Sequence, residues 1–405
     1  MREIQNTIYE ESDTPEIYQK MGVQVIRGRA RFVSANAVKI VDSQNANQQI
    51  SSRFFVLATG SSPSIPFIDG LSGVPYLTNE TIFSISKLPA KMLVIGAGPV
   101  GIEMAQAFRR FGSEVAVLDL ADKILPRDDG ELSRPLQQNL AAEGIDFILG
   151  NPVRQIRWDG TNIRVIVDGP SRATLECDTL LVATGRRANL SSLNLESAGV
   201  RTGEDGILVD RHCRTSAKNI FACGDVTGLY QLTHMSEHMA KVAVSVALLR
   251  LPTSYEKKNV PRCTYTDPEL AHVGASEDDL KKRGTAYGIY RFPFTRIDRA
   301  MTDSETAGLI KVLARKLDGK IYGASILGTN AGEMISEFAL AMRNGITLRR
   351  IADTVHPYPT YAMGNRRAAD QWYARKQSRM FVRLLKLVFG YRGQLPDTSD
   401  PNRIV

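Results

Sequence analysis

Residues 92–119 restrict what this chain can fold into more than any other stretch. A short apolar run at 92–95 leads into Gly96-Ala97-Gly98-Pro99-Val100-Gly101, residues 99–111 have helical spacing, and 114–118 read as a second strand. In a turn from strand to helix, the first glycine permits the tight bend, the second lets a phosphate approach the backbone, and the third lets helix and strand pack closely. Gly112 stands where a helix end favours a left-handed residue. The glycine spacing alone is a weak signal, but here both flanks are right. Gly96, Gly98 and Gly101 are therefore expected to hold a dinucleotide pyrophosphate at the helix N-terminus, where N–H groups and the helix dipole favour an anion. The simpler reading is a tight strand-to-helix turn without a ligand.

Asp119 ends the second strand, 23 positions after Gly96. A carboxylate there hydrogen-bonds an adenosine ribose 2′-hydroxyl and repels a 2′-phosphate. No arginine occurs at 120–122, although Lys123 is close, so the expected nucleotide is NAD, with NADP the less favoured. A second helix is expected over 133–143, capped by Ser133 and stopped by Gly144, with a strand at 145–149. This alternation implies a parallel, doubly wound sheet.

Around this core the character of the chain changes. Upstream, strands are expected at 23–26, 30–33, 37–41 and 53–57, followed by a connection marked by Pro63, Pro66, Gly70, Gly73 and Pro75. Downstream come a β-rich excursion over 153–183, with its return strand at 179–183, and a Gly-Asp-containing segment over 206–255 that ends in a helix. From 260 onward a separate α+β unit is expected, with strands near 262–265, 287–292, 309–314 and 321–326 and helices near 331–344 and 347–354. A length of 405 residues suits two to three domains.

Composition excludes several classes. Cys177, Cys213, Cys223 and Cys263 contain no close pair, so neither a zinc site nor a disulfide framework is indicated. His234 and His238 have the spacing of a metal pair but no third ligand nearby, and are read as structural or flavin-adjacent; no metal site is expected. The polar start of the chain is unlike a signal peptide, and no apolar run reaches about 18 residues. A cytoplasmic protein with reduced thiols is the expectation.

Three more segments make the reading specific: Leu57-Ala58-Thr59-Gly60, Val182-Ala183-Thr184-Gly185-Arg186 and Ile220-Phe221-Ala222-Cys223-Gly224-Asp225-Val226. In this order around the glycine loop they resemble the pyridine nucleotide-disulfide oxidoreductases, the flavoproteins that include dihydrolipoyl dehydrogenase, glutathione reductase and mercuric reductase. The resemblance covers roughly residues 1–373. It implies an α/β fold with two dinucleotide-binding domains of Rossmann type, the FAD domain incomplete, plus a C-terminal α+β dimerisation domain. The implied division is 1–85 and 189–257 for FAD, 86–188 for NAD(P), 258–373 for dimerisation, and 374–405 as a tail. It also implies hydride transfer from NADH to FAD and on to an unknown small-molecule acceptor. Asp225 would bond the flavin's ribityl chain, with Gly224 allowing close approach and Ala58, Thr59, Gly60 and Gly185 forming turns beside the dinucleotides. Glu103 matches the family glutamate that pairs with a lysine beside the flavin. Tyr265 to Gly274 and Gly323 to Gly328 look like the family's dimerisation domain, which implies a homodimer.

Two departures stand out. The family's first glycine loop and CxxxxC pair do not occur in this sequence, so the chain reads either as a fragment or as a natural short form with reduced or different activity; the alternative to an oxidoreductase is a truncated, non-catalytic, dimeric nucleotide-binding protein. A doubly wound sheet lacking its first strand would expose an edge, which favours the fragment. The family's His-Pro-Thr unit is also changed. In His356-Pro357-Tyr358-Pro359-Thr360-Tyr361-Ala362-Met363, Tyr358 takes the histidine's place and Met363 the glutamate's. Tyrosine here is similar to mercuric reductase, yet 264–405 contain no cysteine for a soft metal. Tyr358 and Glu103 are the candidate catalytic residues; Tyr358 is alternatively a packing residue at a dimer interface.

Net charge is +8, and Arg375, Lys376, Arg379, Arg383, Lys386 and Arg392 cluster near the end with no acid between them. Residues 374–389 read as an amphipathic helix, with Arg379, Arg383 and Lys386 on one face and Met380, Leu384, Leu387 and Val388 on another. Such a helix either makes weak contact with an anionic membrane surface or packs on the protein body. The six charges do not form an aromatic-interleaved platform for nucleic-acid stacking, so no nucleic-acid partner is expected.

Overall fold

The computed structural model describes residues 2–42, 44, 46–169, 173–375, 379–390 and 392. The chain forms two compact units, one of Met1–Phe67, Pro75–Leu88 and Leu181–Tyr255, the other of Ile68–Val74, Pro89–Leu180 and Glu256–Val405.

The first unit opens with helical turns, Arg2–Ile8 and Pro15–Lys20, with a π-helical turn Tyr9–Asp13 between them. The strand expected at 23–26 does not form. Its residues lie between Gly22 and Gly28, both at positive φ, and Val23 is half exposed. A short apolar run becomes a strand only where a partner takes up its ladder, and the first ladder begins at Arg29. There Arg29–Ser34, Ala37–Val41 and Asn47–Ser51 form an antiparallel sheet. Asn47–Ser51 was not expected, because its Asn and Gln residues are poor strand formers; cross-strand pairing with Ala37–Val41 decides it. Phe55–Leu57 pairs in parallel with Ile220–Ala222, and Ser61–Pro63 pairs antiparallel with Arg186–Ala188. Phe32, Leu57, Leu195, Ile220 and Val226 lie in the core of this unit, and the helix Thr233–Leu249 buries Met235, Met239, Val242 and Val246.

The second unit contains the doubly wound part. Thr179–Val182, Lys91–Ile95, Glu114–Asp119 and Ile145–Leu149 lie in that order in one sheet. Lys91–Ile95, Glu114–Asp119 and Ile145–Leu149 are parallel. The helices are Pro99–Arg110 and Gly130–Ala142. The second helix starts three residues before the expected position: Asp129, not Ser133, is its cap and accepts from the Glu131 N–H at 2.9 Å. An aspartate before Gly-Glu satisfies the first turn, so Ser133 lies inside the helix and is fully buried. Val153–Trp158, Ile163–Val167 and Ala173–Cys177 form the β-rich excursion as an antiparallel meander.

The α+β part has one antiparallel sheet in the order Arg262–Thr264, Glu269–Gly274, Ile321–Gly328, Leu309–Ala314, Gly288–Pro293. Glu269–Gly274, not among the expected strands, is an inner strand of the sheet and largely buried. Helices Ala331–Arg343, Leu348–Asp353 and Met363–Ala374 complete it. Phe292, Phe294, Ile310, Ile326, Phe338 and Trp372 share its core. The helix expected over 374–389 begins later: Met363–Ala374 ends where that helix was to start, and a further helix spans Arg379–Phe389. Lys376 and its neighbours at 377–378 lie outside the described residues.

Candidate functional site

In the second unit the glycine loop follows a strand whose residues Met92 to Ile95 are all buried, as an inner parallel strand requires. Gly96 adopts φ +116°, and a Cβ on Gly101 would stand 1.9 Å from the Gly96 carbonyl oxygen. No other residue fits at 101 without moving the backbone. Gly98 differs: a Cβ there would meet nothing within 4 Å. It is also the N-cap of Pro99–Arg110, with no side chain capping the first turn. The loop thus presents an uncapped helix N-terminus to open space.

Asp119 has a role that the spacing argument did not contain. Its Oδ2 accepts the Ala97 N–H at 2.6 Å and its Oδ1 accepts the Ala121 N–H at 2.8 Å. The carboxylate braces the glycine loop from the end of the neighbouring strand. Glu103, one turn into the helix, accepts the Tyr265 N–H at 2.8 Å. Burial raises its carboxyl above the ordinary glutamate range, and that hydrogen bond opposes the rise.

In the first unit the structure brings together the segments singled out as flavin-binding. The Thr59 hydroxyl donates to the Asn189 carbonyl and the Asn189 amide returns a bond to the Thr59 carbonyl, both at 3.0 Å. The Asn189 N–H donates to the Gly60 carbonyl, and the Ser64 N–H to that of Gly185. Gly60 and Gly185 have φ of +67° and +122°, a region costly for other residues. The Ser61 hydroxyl donates to Asp225 at 2.6 Å, and Arg186 donates through Nε to the Ser61 hydroxyl at 2.7 Å. Arg186 Nε lies 3.5 Å from the same Asp225 oxygen. Ser61, Arg186 and Asn189 were not picked out from the sequence. Arg186 stands in one of the quoted motifs, and that adjacency to Gly185 was the only available signal. At Gly224, φ is +73° and a Cβ would come 2.6 Å from the Ser236 hydroxyl, so the close approach that demands glycine comes from the Thr233–Leu249 helix. His234 and His238 lie on that helix.

In the α+β part, Tyr358 is 70% exposed and borders a cavity of about 180 Å³ lined also by Arg296, Asp298, Arg299, Thr360 and Arg367. A hydrogen bond to the Asp298 carboxylate raises its phenol further above the usual tyrosine range. His356 is engaged elsewhere: Nε2 is 3.0 Å from Glu337 Oε1, and Nδ1 is 3.0 Å from the Thr354 carbonyl. Glu337 also accepts from the Asn365 amide at 2.9 Å. Met363 opens the last helix of this part.

Asp129, Glu131 and Glu277 converge closely enough to ligate a metal, but the cation among them is Lys311. Its ammonium lies 2.6, 2.9 and 2.5 Å from the three carboxylates. The four cysteines are free. Burial pushes the Cys177 thiol up to about 11 and those of Cys213 and Cys263 up to about 12, so these are not thiolates near neutral pH.

Residues 6–240 match the family described as pyridine nucleotide-disulphide oxidoreductase, and 260–368 match that family's dimerisation domain. The chain belongs to the pyridine nucleotide-disulphide oxidoreductase family. It is 34% identical over 356 residues to a mercuric reductase of Lysinibacillus sphaericus, covering 87% of this chain and 64% of that protein. It is 34% identical over 357 residues to dihydrolipoyl dehydrogenase 3 of Pseudomonas putida, covering 87% and 76%. The chain thus spans less than two thirds of the length of the mercuric reductase. Among solved structures it is similar to the HOCl-induced flavoprotein disulfide reductase RclA of Escherichia coli, with TM-score 0.78 and 28% identity over 86% of this chain and 79% of that one. The family is one of FAD-dependent oxidoreductases that use pyridine nucleotides, in agreement with the expected cofactors FAD and NAD. Among the described residues, no helix is long and apolar enough to cross a membrane.

Proposed function

We propose that this chain serves an NADH-dependent flavoprotein oxidoreductase that passes electrons to a small-molecule acceptor. The observation that carries the reading is the glycine loop: an N-terminus without a side-chain cap, a middle glycine facing open space, and a third glycine whose missing Cβ admits the Gly96 carbonyl. These features suit a dinucleotide pyrophosphate. Asp119 braces that loop and, with its remaining acceptor capacity, takes a ribose hydroxyl; its charge disfavours a 2′-phosphate. Gly96, Gly98, Gly101 and Asp119 would hold the nucleotide.

Ala58, Thr59, Gly60, Gly185, Gly224 and Asp225 would hold FAD, with Ser61 and Arg186 orienting the Asp225 carboxylate. The donor set fits: a carboxylate whose one oxygen accepts from Ser61 keeps lone pairs for a polyol hydroxyl. Bound FAD supplies the two-electron chemistry for NADH oxidation, and the protein supplies binding and orientation. Glu103 is a half-buried carboxyl on the nucleotide helix, suited to pairing with a cation. Tyr358 stays protonated and acts as a hydrogen-bond donor at the acceptor's side of a homodimer, in which the 260–368 region supplies the interface.

The deciding experiment measures flavin in the purified chain and its reduction by NADH and by NADPH. Yellow protein reduced faster by NADH supports the reading. Colourless protein that still binds NADH favours a nucleotide-binding protein without turnover, a reading kept open by the four free thiols, three of them buried and Cys263 half-buried.

A further inference from the structure

The helix Arg379–Phe389 reads R-M-F-V-R-L-L-K-L-V-F. Its three basic residues, Arg379, Arg383 and Lys386, fall at i, i+4 and i+7 and form one narrow stripe. All other positions are apolar. A helix packed on its own domain would hide that apolar surface, yet Leu384, Leu387, Val388 and Phe389 are 54%, 83%, 64% and 62% exposed. The preceding helix behaves oppositely: Met363–Ala374 buries Ala368, Ala369 and Trp372 in the core, and Arg375 lies over the Tyr290 ring at 5.2 Å. The chain is therefore anchored up to Arg375, and the apolar helix comes beyond that anchor. Gly390, at φ +65°, follows its end.

Charge selects the occupant. From 371 to 396 the sequence has no Asp or Glu and has six basic residues, Arg375, Lys376, Arg379, Arg383, Lys386 and Arg392. A second copy of the helix would bring like charges together, and an ordinary apolar protein groove gives no reason for so uniform a sign. An anionic lipid surface answers both faces at once: acyl chains take the apolar side and headgroups the basic stripe. Eleven residues make a helix about 16 Å long, about half the hydrocarbon thickness of a bilayer, so it lies in the plane of the interface.

We propose that Arg379–Phe389 is a monotopic anchor that holds this oxidoreductase reversibly on anionic membranes. The contact does not depend on the cofactor reading. It is tested with the full chain by co-sedimentation with vesicles of phosphatidylcholine alone and of phosphatidylcholine mixed with phosphatidylglycerol. The expected result is binding at least tenfold stronger to the anionic vesicles, falling as salt is raised. Arg383→Gln is expected to weaken it about fivefold, from the contribution of one basic residue near such a surface, and Leu387→Ser about tenfold or more, with unchanged thermal unfolding. The proposal is overturned if the full chain ignores anionic vesicles, or if it binds them but Leu387→Ser and Arg383→Gln bind equally well. It is also overturned if Leu387→Ser dissociates an oligomer in sedimentation velocity while vesicle binding stays absent.

Discussion

Ser61 and Asp225, 164 positions apart in sequence, share a hydrogen bond of 2.6 Å, and Arg186 donates to the same Ser61 hydroxyl. Three segments that are each ordinary alone thereby fix one carboxylate. Asp225→Asn is expected to lower flavin retention at least tenfold after gel filtration, read from visible absorbance, because an amide meets Ser61 and Arg186 with a donor where an acceptor is needed. Ser61→Ala should lose less, since Asp225 keeps Arg186 nearby. Full flavin content in Asp225→Asn would count against the assignment.

Gly101→Ala tests the glycine loop. The added methyl would meet the Gly96 carbonyl at 1.9 Å, so strand and helix must separate. Overpacking of this kind costs about 1–3 kcal/mol. The expected outcome is a lower Tm together with loss of NADH binding by fluorescence titration. Gly98→Ala, which has open space, should leave Tm nearly unchanged and weaken NADH binding alone.

Asp119→Ser should narrow the preference for NADH over NADPH, because it removes the charge opposed to a 2′-phosphate. It also removes the bonds to Ala97 and Ala121, so affinity for both nucleotides should fall. Isothermal titration with both nucleotides separates the two effects; an unchanged ratio would remove Asp119 from the specificity argument.

Lys311 gives a stability prediction with a pH sign. The ammonium is 1% exposed among three carboxylates. Lys311→Met leaves them facing each other and should destabilise the chain by about 3 kcal/mol in denaturant titration, the lower end for breaking a buried pair because the acids are only partly buried. Glu131 is held down to about 2, chiefly by Arg291, with Lys311 adding to it. A depressed carboxylate contributes stability that is complete above its unfolded value, about 4.5, and that is lost as pH falls toward 2. Arg291→Ala should therefore destabilise at neutral pH and flatten the acid limb of unfolding.

Tyr358→Phe should lower turnover with the physiological acceptor while leaving NADH reduction of the flavin unchanged. Because Asp298 raises the phenol further, wild type and variant should have the same pH profile from about pH 6 to 9, well below the tyrosine range near 10. A basic limb lost only in the variant would mean that Tyr358 titrates in turnover.

The glycine loop was legible because each glycine answers a local steric demand: turn, approach, packing. The same holds for the strand-helix-strand around it, whose periodicity needs no distant partner. The helix start at Asp129 was local too, and was missed only because Ser133 offered a rival cap. Other features are not local. Asn47–Ser51 is a strand only because Ala37–Val41 pairs with it, and 23–26 is none because nothing does. Asp119 as a brace, Ser61 and Arg186 around Asp225, Ser236 against Gly224, and His356 turned to Glu337 are contacts between separate elements, the Ser61, Arg186 and Asp225 set joining segments more than 100 residues apart. The sequence by itself determined the periodicities, the glycine positions and the charge pattern, since these follow from single residues and their near neighbours. Only the tertiary structure decided which side chains meet, because hydrogen-bond partners and buried contacts depend on packing that joins distant parts of the chain.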